Sequence, residues 1–243
     1  MVVALFHVHW SGYLPDLGHA LLRTLEFTAA GFAGAAVLGL VLALMRLSPL
    51  WPLRSLGVIY TEMFKNVPLI AIILLVYNGL PNIGIVLGLF QAGALSLIVF
   101  YGAYLSEIFR AALKGIHAGQ KEAAQALGMS RLSTFAHVTA PQALRLALPG
   151  TNTMFVDLLK STSLLVVIGA FELMTEAQVI ASETFRAFEV YSVIAGVYFF
   201  LCFPLSQGLL WLERQVHSGV ALSPPRRQRL HAARLLLEKR ATA

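Results

Sequence analysis

The chain has 243 residues, of which 58% are hydrophobic and 12% charged, with a mean hydropathy of +0.74. An average soluble domain carries about 25% charged residues, so these values exclude a water-soluble fold, and the ample apolar surface excludes disorder. The formal charge of +6 points to nucleic acid only if the basic residues do not lie on one side of a membrane. A single cysteine, Cys202, excludes a disulfide framework and a cysteine-based zinc site. No basic segment followed by a short apolar core and a cleavage site opens the chain, so no removable signal peptide is expected.

A membrane span takes roughly 20 mostly apolar residues. Hydropathy predicts an all-α integral membrane protein with five spans, at about 25–46, 56–80, 85–106, 145–170 and 190–212. The uncharged stretch 66–106 is too long for one span, and Gly79, Pro81, Asn82 and Gly84 divide it. Pro68 is expected to kink the second span. Asp157 and Lys160 fall inside the fourth, and Pro204 inside the fifth. In the first span Gly31, Ala35, Gly39 and Ala43 recur every four residues, a ladder that lets another helix approach closely. Gly84 and Gly88 repeat that spacing at the start of the third.

Basic residues assign the faces. Arg46, Arg54, Arg110, Lys114, Lys121, Arg131, Arg145, Arg214 and the tail cations fall on one side. Only Arg23 and Arg186 fall on the other, among Asp16, Glu26, Glu172, Glu176, Glu183 and Glu189. The N-terminus is expected outside, with the 110–145 loop and the C-terminus in the cytoplasm. The net basicity is then a topology signal, and no nucleic-acid partner is expected.

Between the third and fourth spans, residues 120–127 are rich in helix formers, and Gly128 stands where a left-handed cap is expected. Ser130 is placed to cap a second short helix, which Pro141 is expected to end. An amphipathic interfacial loop and a docking element for a partner both fit this periodicity. Glu122-Ala123-Ala124, three residues, Gly128, nine residues, then Val138-Thr139-Ala140-Pro141 resembles the EAA loop of bacterial ATP-binding-cassette importer permeases. Val138 stands for the family's Ile, and Ala140 departs from its Leu. The resemblance extends over roughly 20–214 and is closest to the polar-amino-acid subfamily, whose cargoes include histidine, glutamate, glutamine, arginine and opines. It is carried by Arg46-Leu47-Ser48-Pro49, Tyr60-Thr61-Glu62, Asn66-Val67-Pro68-Leu69 and the run from Ala103 to Arg110. Gly119-Gln120-Lys121, Pro141-Gln142-Ala143-Leu144-Arg145, Lys160-Ser161-Thr162-Ser163-Leu164, Glu172-Leu173 and Leu212-Glu213-Arg214 continue it.

The resemblance implies a type I importer transmembrane fold over residues 1–219, with a coupling loop at about 115–142 and a basic cytoplasmic tail at 220–243 outside the match. It implies that Gly119, Gln120, Glu122, Ala123, Ala124, Gly128 and Pro141 engage a cytoplasmic ATPase dimer. It further implies an extracytoplasmic amino-acid-binding protein and a second permease copy or paralogue, in the bacterial inner membrane. No G-x-x-x-x-G-K occurs, so ATP and magnesium are expected on the partner, with no cofactor, metal or catalytic group on this chain. The tail, with Leu230 and Leu235–Leu237 among its cations, suits anionic membrane lipid or an unstructured extension.

Charges inside spans default to functional candidates. Lys160 with Ser161, Thr162 and Ser163 suits a substrate carboxylate, while an i,i+3 pair with Asp157 is the structural alternative. Asn66, beside the carbonyl freed by Pro68, and Asn152 are further pathway candidates. Glu62–Lys65 and Glu107–Arg110 read as local ion pairs. Lys160, with no carboxylate at Ser161, favours an acidic or neutral polar amino acid over a cationic one. His7, His9, His19, His117 and His137 follow no metal spacing and read as surface groups. Segment 172–189 suits a surface helix receiving a binding protein, or a solvated acidic loop. A self-sufficient ion-coupled transporter or channel is the alternative function; an intramembrane enzyme lacks a paired acid and base or an H-E-x-x-H.

Overall fold

The computed structural model describes residues 8–217; His7 and the tail 220–243 lie outside the described residues. Every regular element described is helical. Helix α1 spans Trp10–Leu47, α2 Trp51–Lys65, and α3 Leu69–Leu74 runs on through π and 3-10 turns to Ile83. Helix α4 spans Leu89–Lys114 and α5 Ala118–Ala126. One long helix, α6, covers Arg131–Ile168, followed by α7 at Leu173–Thr184 and α8 at Ala187–His217. Four of these helices are long and apolar enough to cross a membrane, and α2 with α3 makes a fifth only as a bent pair.

The ladder of small residues works as expected, and within this chain. Gly31, Ala35, Gly39 and Ala43 are all buried, and α1 packs chiefly on α4. A Cβ added to Gly39 would stand 2.8 Å from the Leu105 Cβ, so only glycine admits α4 there. Packing of this kind holds apolar helices together where the surrounding lipid offers no hydrophobic drive. Phe27, Leu97, Tyr101, Leu105, Leu158 and Leu165 form the core between α1, α4 and α6. Val37, Phe200 and Trp211 stay exposed, an outward apolar face suited to lipid.

Several expected boundaries shift. Helix α1 has 38 residues, or roughly 57 Å at 1.5 Å per residue, nearly twice the hydrocarbon core. Its N-terminal turns therefore project beyond the span expected at 25–46 and pack on α7 and α8. The expected kink at Pro68 is instead a 105° break between two helices. Asn66 donates its side-chain amide to the Glu62 carbonyl at 2.7 Å and ends α2, while Pro68 opens α3. Gly84 and Gly88 do not bring a second helix close: Gly84 takes a left-handed φ of +85°, and Gly88 is extended as the N-cap of α4. The third span therefore begins at Leu89.

Pro141 does not end its helix. Residues Phe135–Thr139 form a π turn in which the Ala140 amide donates to the Phe135 carbonyl, and α6 continues to Ile168. Shifting the hydrogen-bond register by one residue absorbs the missing proline N–H. Residues 131–142 of the loop and the fourth span are thus one element, while α5 stands apart.

Candidate functional site

The loop helix α5 is fixed at both ends. His117 is its N-cap, its Nδ1 accepting from the Gly119 amide at 3.2 Å, a role the surface reading of His117 missed. At the C-terminus Gly128 adopts φ +81°, its amide donating to the Gln125 carbonyl at 2.9 Å. The Met129 amide donates to the Ala124 carbonyl at 3.1 Å. This pair of bonds closes the last turn and requires the left-handed residue that glycine supplies. Ser130 then caps α6, its Oγ accepting from the Ser133 amide at 3.2 Å.

Gln142 donates to Gln120 Oε1 at 3.4 Å, tying α5 to the start of α6. Ala124 is buried, while Gln120, Glu122 and Ala123 face outward. Leu127 and Leu132, on either side of the Gly128 turn, are 84% and 78% exposed. Two large apolar side chains are thus held out on a rigidly capped turn, a small exposed apolar patch. Neither leucine stands out in the sequence, since each falls in an otherwise regular helical pattern.

At the root of the loop, Arg46 from α1 meets Glu107 from α4 at 2.5 Å, and Arg110 meets the same carboxylate. Thr61 from α2 joins through Ser106 at 3.1 Å, and Gly57 leaves space for the Arg46 side chain. The expected Glu107–Arg110 pair is present, and Glu62–Lys65 forms at 3.5 Å. Motifs that lie far apart in sequence thus converge on one ion network.

Lys160 lines a cavity of about 420 Å³ between α6 and α8, with Asn152, Asp157, Ser206 and Glu213. The i,i+3 pair with Asp157 is not formed. The Tyr101 hydroxyl donates to Asp157 Oδ2 at 2.8 Å and lies 2.7 Å from Ser161 Oγ. Asn152 Nδ2 donates to the Leu209 carbonyl at 3.3 Å, joining α6 to α8 at the cavity edge. Of the pathway candidates, the cavity brings together Asn152 and Lys160. Thr162 Oγ1 and Ser163 Oγ donate to the Leu159 and Lys160 carbonyls of their own helix. Asn66 is spent on capping α2. Tyr101 was not foreseen, because its isolated hydroxyl in an apolar run carries no local signal.

Segment 172–189 is a packed helix rather than a solvated loop. Glu172 is fully buried and caps α7, accepting from the Met174 and Thr175 amides at 2.9 and 2.7 Å and from the Tyr198 hydroxyl at 3.0 Å. Burial pushes its pKa above the ordinary value, and these donors pull the other way. Glu176 is 8% exposed, and burial, then Asp16 and Glu183, raise its pKa as well.

The residues 35–218 match the model of the binding-protein-dependent transport system inner membrane component family. The chain is 35% identical over 219 residues to a probable glutamine ABC transporter permease of Bacillus subtilis, covering 90% of this chain and all of the relative. It is 33% identical over 205 residues to the glutamine transport system permease of Escherichia coli K12, covering 84% and 94% respectively. A crystal structure of an amino acid ABC transporter with histidines superposes with a TM-score of 0.80 at 34% identity, covering 86% of this chain and 98% of that one. The inward-facing methionine ABC transporter superposes at 0.71 with 19% identity, over 84% and 98%, and supports the fold. With the capped loop, the small-residue ladder and the helix order all in place, the chain belongs to the family of inner-membrane permease components of binding-protein-dependent, ATP-driven importers.

Proposed function

We propose that this permease carries a polar amino acid and is driven through α5 by a separate cytoplasmic ATPase dimer that holds ATP and magnesium. The observation that carries the reading is the loop: a short helix capped at both ends, hooked to the next span by Gln120–Gln142, presenting Glu122, Ala123, Leu127 and Leu132. Rigid transmission needs such an element, because a flexible one would absorb displacement instead of passing it on. Continuity of the loop with the fourth span through α6 gives a direct route to Lys160.

The cavity supports this reading of the cargo. Lys160 offers a cation to the solute carboxylate, and Asp157 and Glu213 place acidic groups where an ammonium group can sit. One cation and two carboxylates lining the same cavity suit a zwitterion whose side chain is neutral and polar, in line with the glutamine permeases among its relatives. An extracytoplasmic binding protein would deliver the solute, and a second copy or a paralogue would complete the pathway that the exposed face of α8 leaves open. The bias of basic residues toward the loop side supports an outside N-terminus.

The test is uptake of radiolabelled glutamine into vesicles holding the whole transporter and its binding protein. ATP inside should drive uptake, and a proton gradient with ATP depleted should not. Lys160→Gln should lower uptake at least ten-fold while the ATPase remains bound. Uptake driven by the gradient alone would establish the ion-coupled alternative.

A further inference from the structure

Two cavities meet beside the coupling loop. The first, about 640 Å³, is walled by α1, α4 and α6, and every lining residue is apolar, from Val37 and Leu40 to Ala136 and Leu144. The second, about 700 Å³, lies between the ends of α1 and α4 and the loop, and Lys114, Lys121 and Arg131 line it without any acidic side chain. Leu113 and Phe135 line both, so the apolar groove adjoins the basic one.

Thr134 also lines the basic groove. It is 4% exposed, and its hydroxyl is buried without a hydrogen-bond partner. A buried orphan hydroxyl costs stability unless something bonds it. Lys114, Lys121 and Arg131 form no ion pair among the described residues. A buried threonine hydroxyl without a partner, on a residue that lines a groove beside three uncompensated cations, marks a place for a phosphate oxygen.

We propose that the paired cavities hold one anionic glycerophospholipid from the leaflet on the loop side. Its headgroup phosphate meets Thr134 and the three cations, and an acyl chain fills the apolar groove. On α1 the apolar groove is lined by Ala36, Val37 and Leu40 and the basic groove by Leu44 and Leu47, so the two follow one another along a single helix toward the loop. A free phosphate would leave the apolar groove open, and a soluble domain has no means of filling a groove at that depth. Only an amphiphile matches both halves at once. The lipid would bridge α1, α4 and α6 where the loop joins the membrane, and so brace that junction.

The test uses the full-length chain, purified in mild detergent with the subunits that accompany it. Matched phosphatidylglycerol and phosphatidylcholine are titrated back and bound lipid is read by native mass spectrometry. Phosphatidylglycerol should be retained preferentially, and Lys114→Gln with Arg131→Gln should weaken it about five-fold per charge removed, sparing phosphatidylcholine. Thr134→Val, close in shape and so safe for folding, should weaken phosphatidylglycerol alone. Ala136→Phe, which fills the groove, should lower both lipids. Equal retention of the two lipids would overturn the proposal, as would phosphatidylglycerol binding unchanged in the Thr134→Val and double variants. Displacement by inorganic phosphate would assign the site to a free anion. Cross-linking of a cysteine at Ala136 to another protein chain would make the groove an interface.

Discussion

Arg46 and Glu107, sixty-one residues apart, close an ion pair at 2.5 Å that ties the end of α1 to the end of α4. The Arg46 side chain is 8% exposed, and the same carboxylate also receives Arg110. Glu107 therefore balances two cations near the loop-side ends of α1 and α4. Glu107→Gln leaves a buried arginine unpaired. Because the carboxylate itself is 36% exposed, a loss of about 1–3 kcal/mol is expected. Thermal unfolding in detergent should show a lower midpoint for Glu107→Gln than for Arg110→Gln, which leaves the Arg46–Glu107 pair in place.

The turn at Gly128 makes a separate prediction. Its φ of +81° costs an ordinary L-residue roughly 1–2 kcal/mol. Gly128→Val should impair solute-stimulated ATP hydrolysis more than Gly128→Asn, since asparagine tolerates the left-handed region. No Cβ contact arises at this position, so equal damage from both would show that the turn geometry is not what matters.

Close packing of α1 on α4 predicts that Gly39→Val destabilises by about 1–3 kcal/mol through overpacking, because its Cβ would meet Leu105 at 2.8 Å. Gly18→Ala, where nothing lies within 4 Å, should be close to neutral. Paired melting curves of the two variants check this.

Glu176 predicts a pH dependence. Its folded pKa is raised by burial, Asp16 and Glu183, so the folded state holds its proton over a window in which the unfolded chain has lost it. Stability is then fully present below the ordinary glutamate value of 4.5 and falls as pH rises through the raised pKa. Glu176→Gln should flatten that slope and raise the melting midpoint at neutral pH. Glu172→Gln should do the opposite and destabilise, because an amide cannot accept from both the Met174 and Thr175 amides.

The parts legible in the sequence are those whose signal is local. Apolar length located the spans, the four-residue ladder identified the α1 face, and Gly128 and Ser130 marked their caps. Proline was ambiguous: Pro68 stands at a 105° break, yet Pro141 sits inside a continuous helix, because a neighbouring π turn absorbed the second and not the first. Gly84 and Gly88 carry the same spacing as the ladder but lie before the helix, Gly84 in a turn and Gly88 at its extended N-cap, where no second helix needs to approach. The candidate pathway was only half legible. Lys160 and Asn152 share a cavity, while Ser161 is held by Tyr101, fifty-six residues from the Asp157 it also binds. Contacts over such separations leave no periodicity to read. Glu172 looked like a solvated acid because nothing nearby in sequence reveals Tyr198, the hydroxyl that meets it across the fold.

The central claim is that α5 couples this permease to an ATPase. The most direct measurement is purification of the tagged chain from its own membrane, with the accompanying proteins identified and counted. We expect one P-loop ATPase subunit for each permease, reduced by Leu127→Arg with Leu132→Arg while the variant stays folded and in the membrane. A wild-type chain that purifies under mild conditions without any ATPase, or a double variant that retains it in full, would contradict the account.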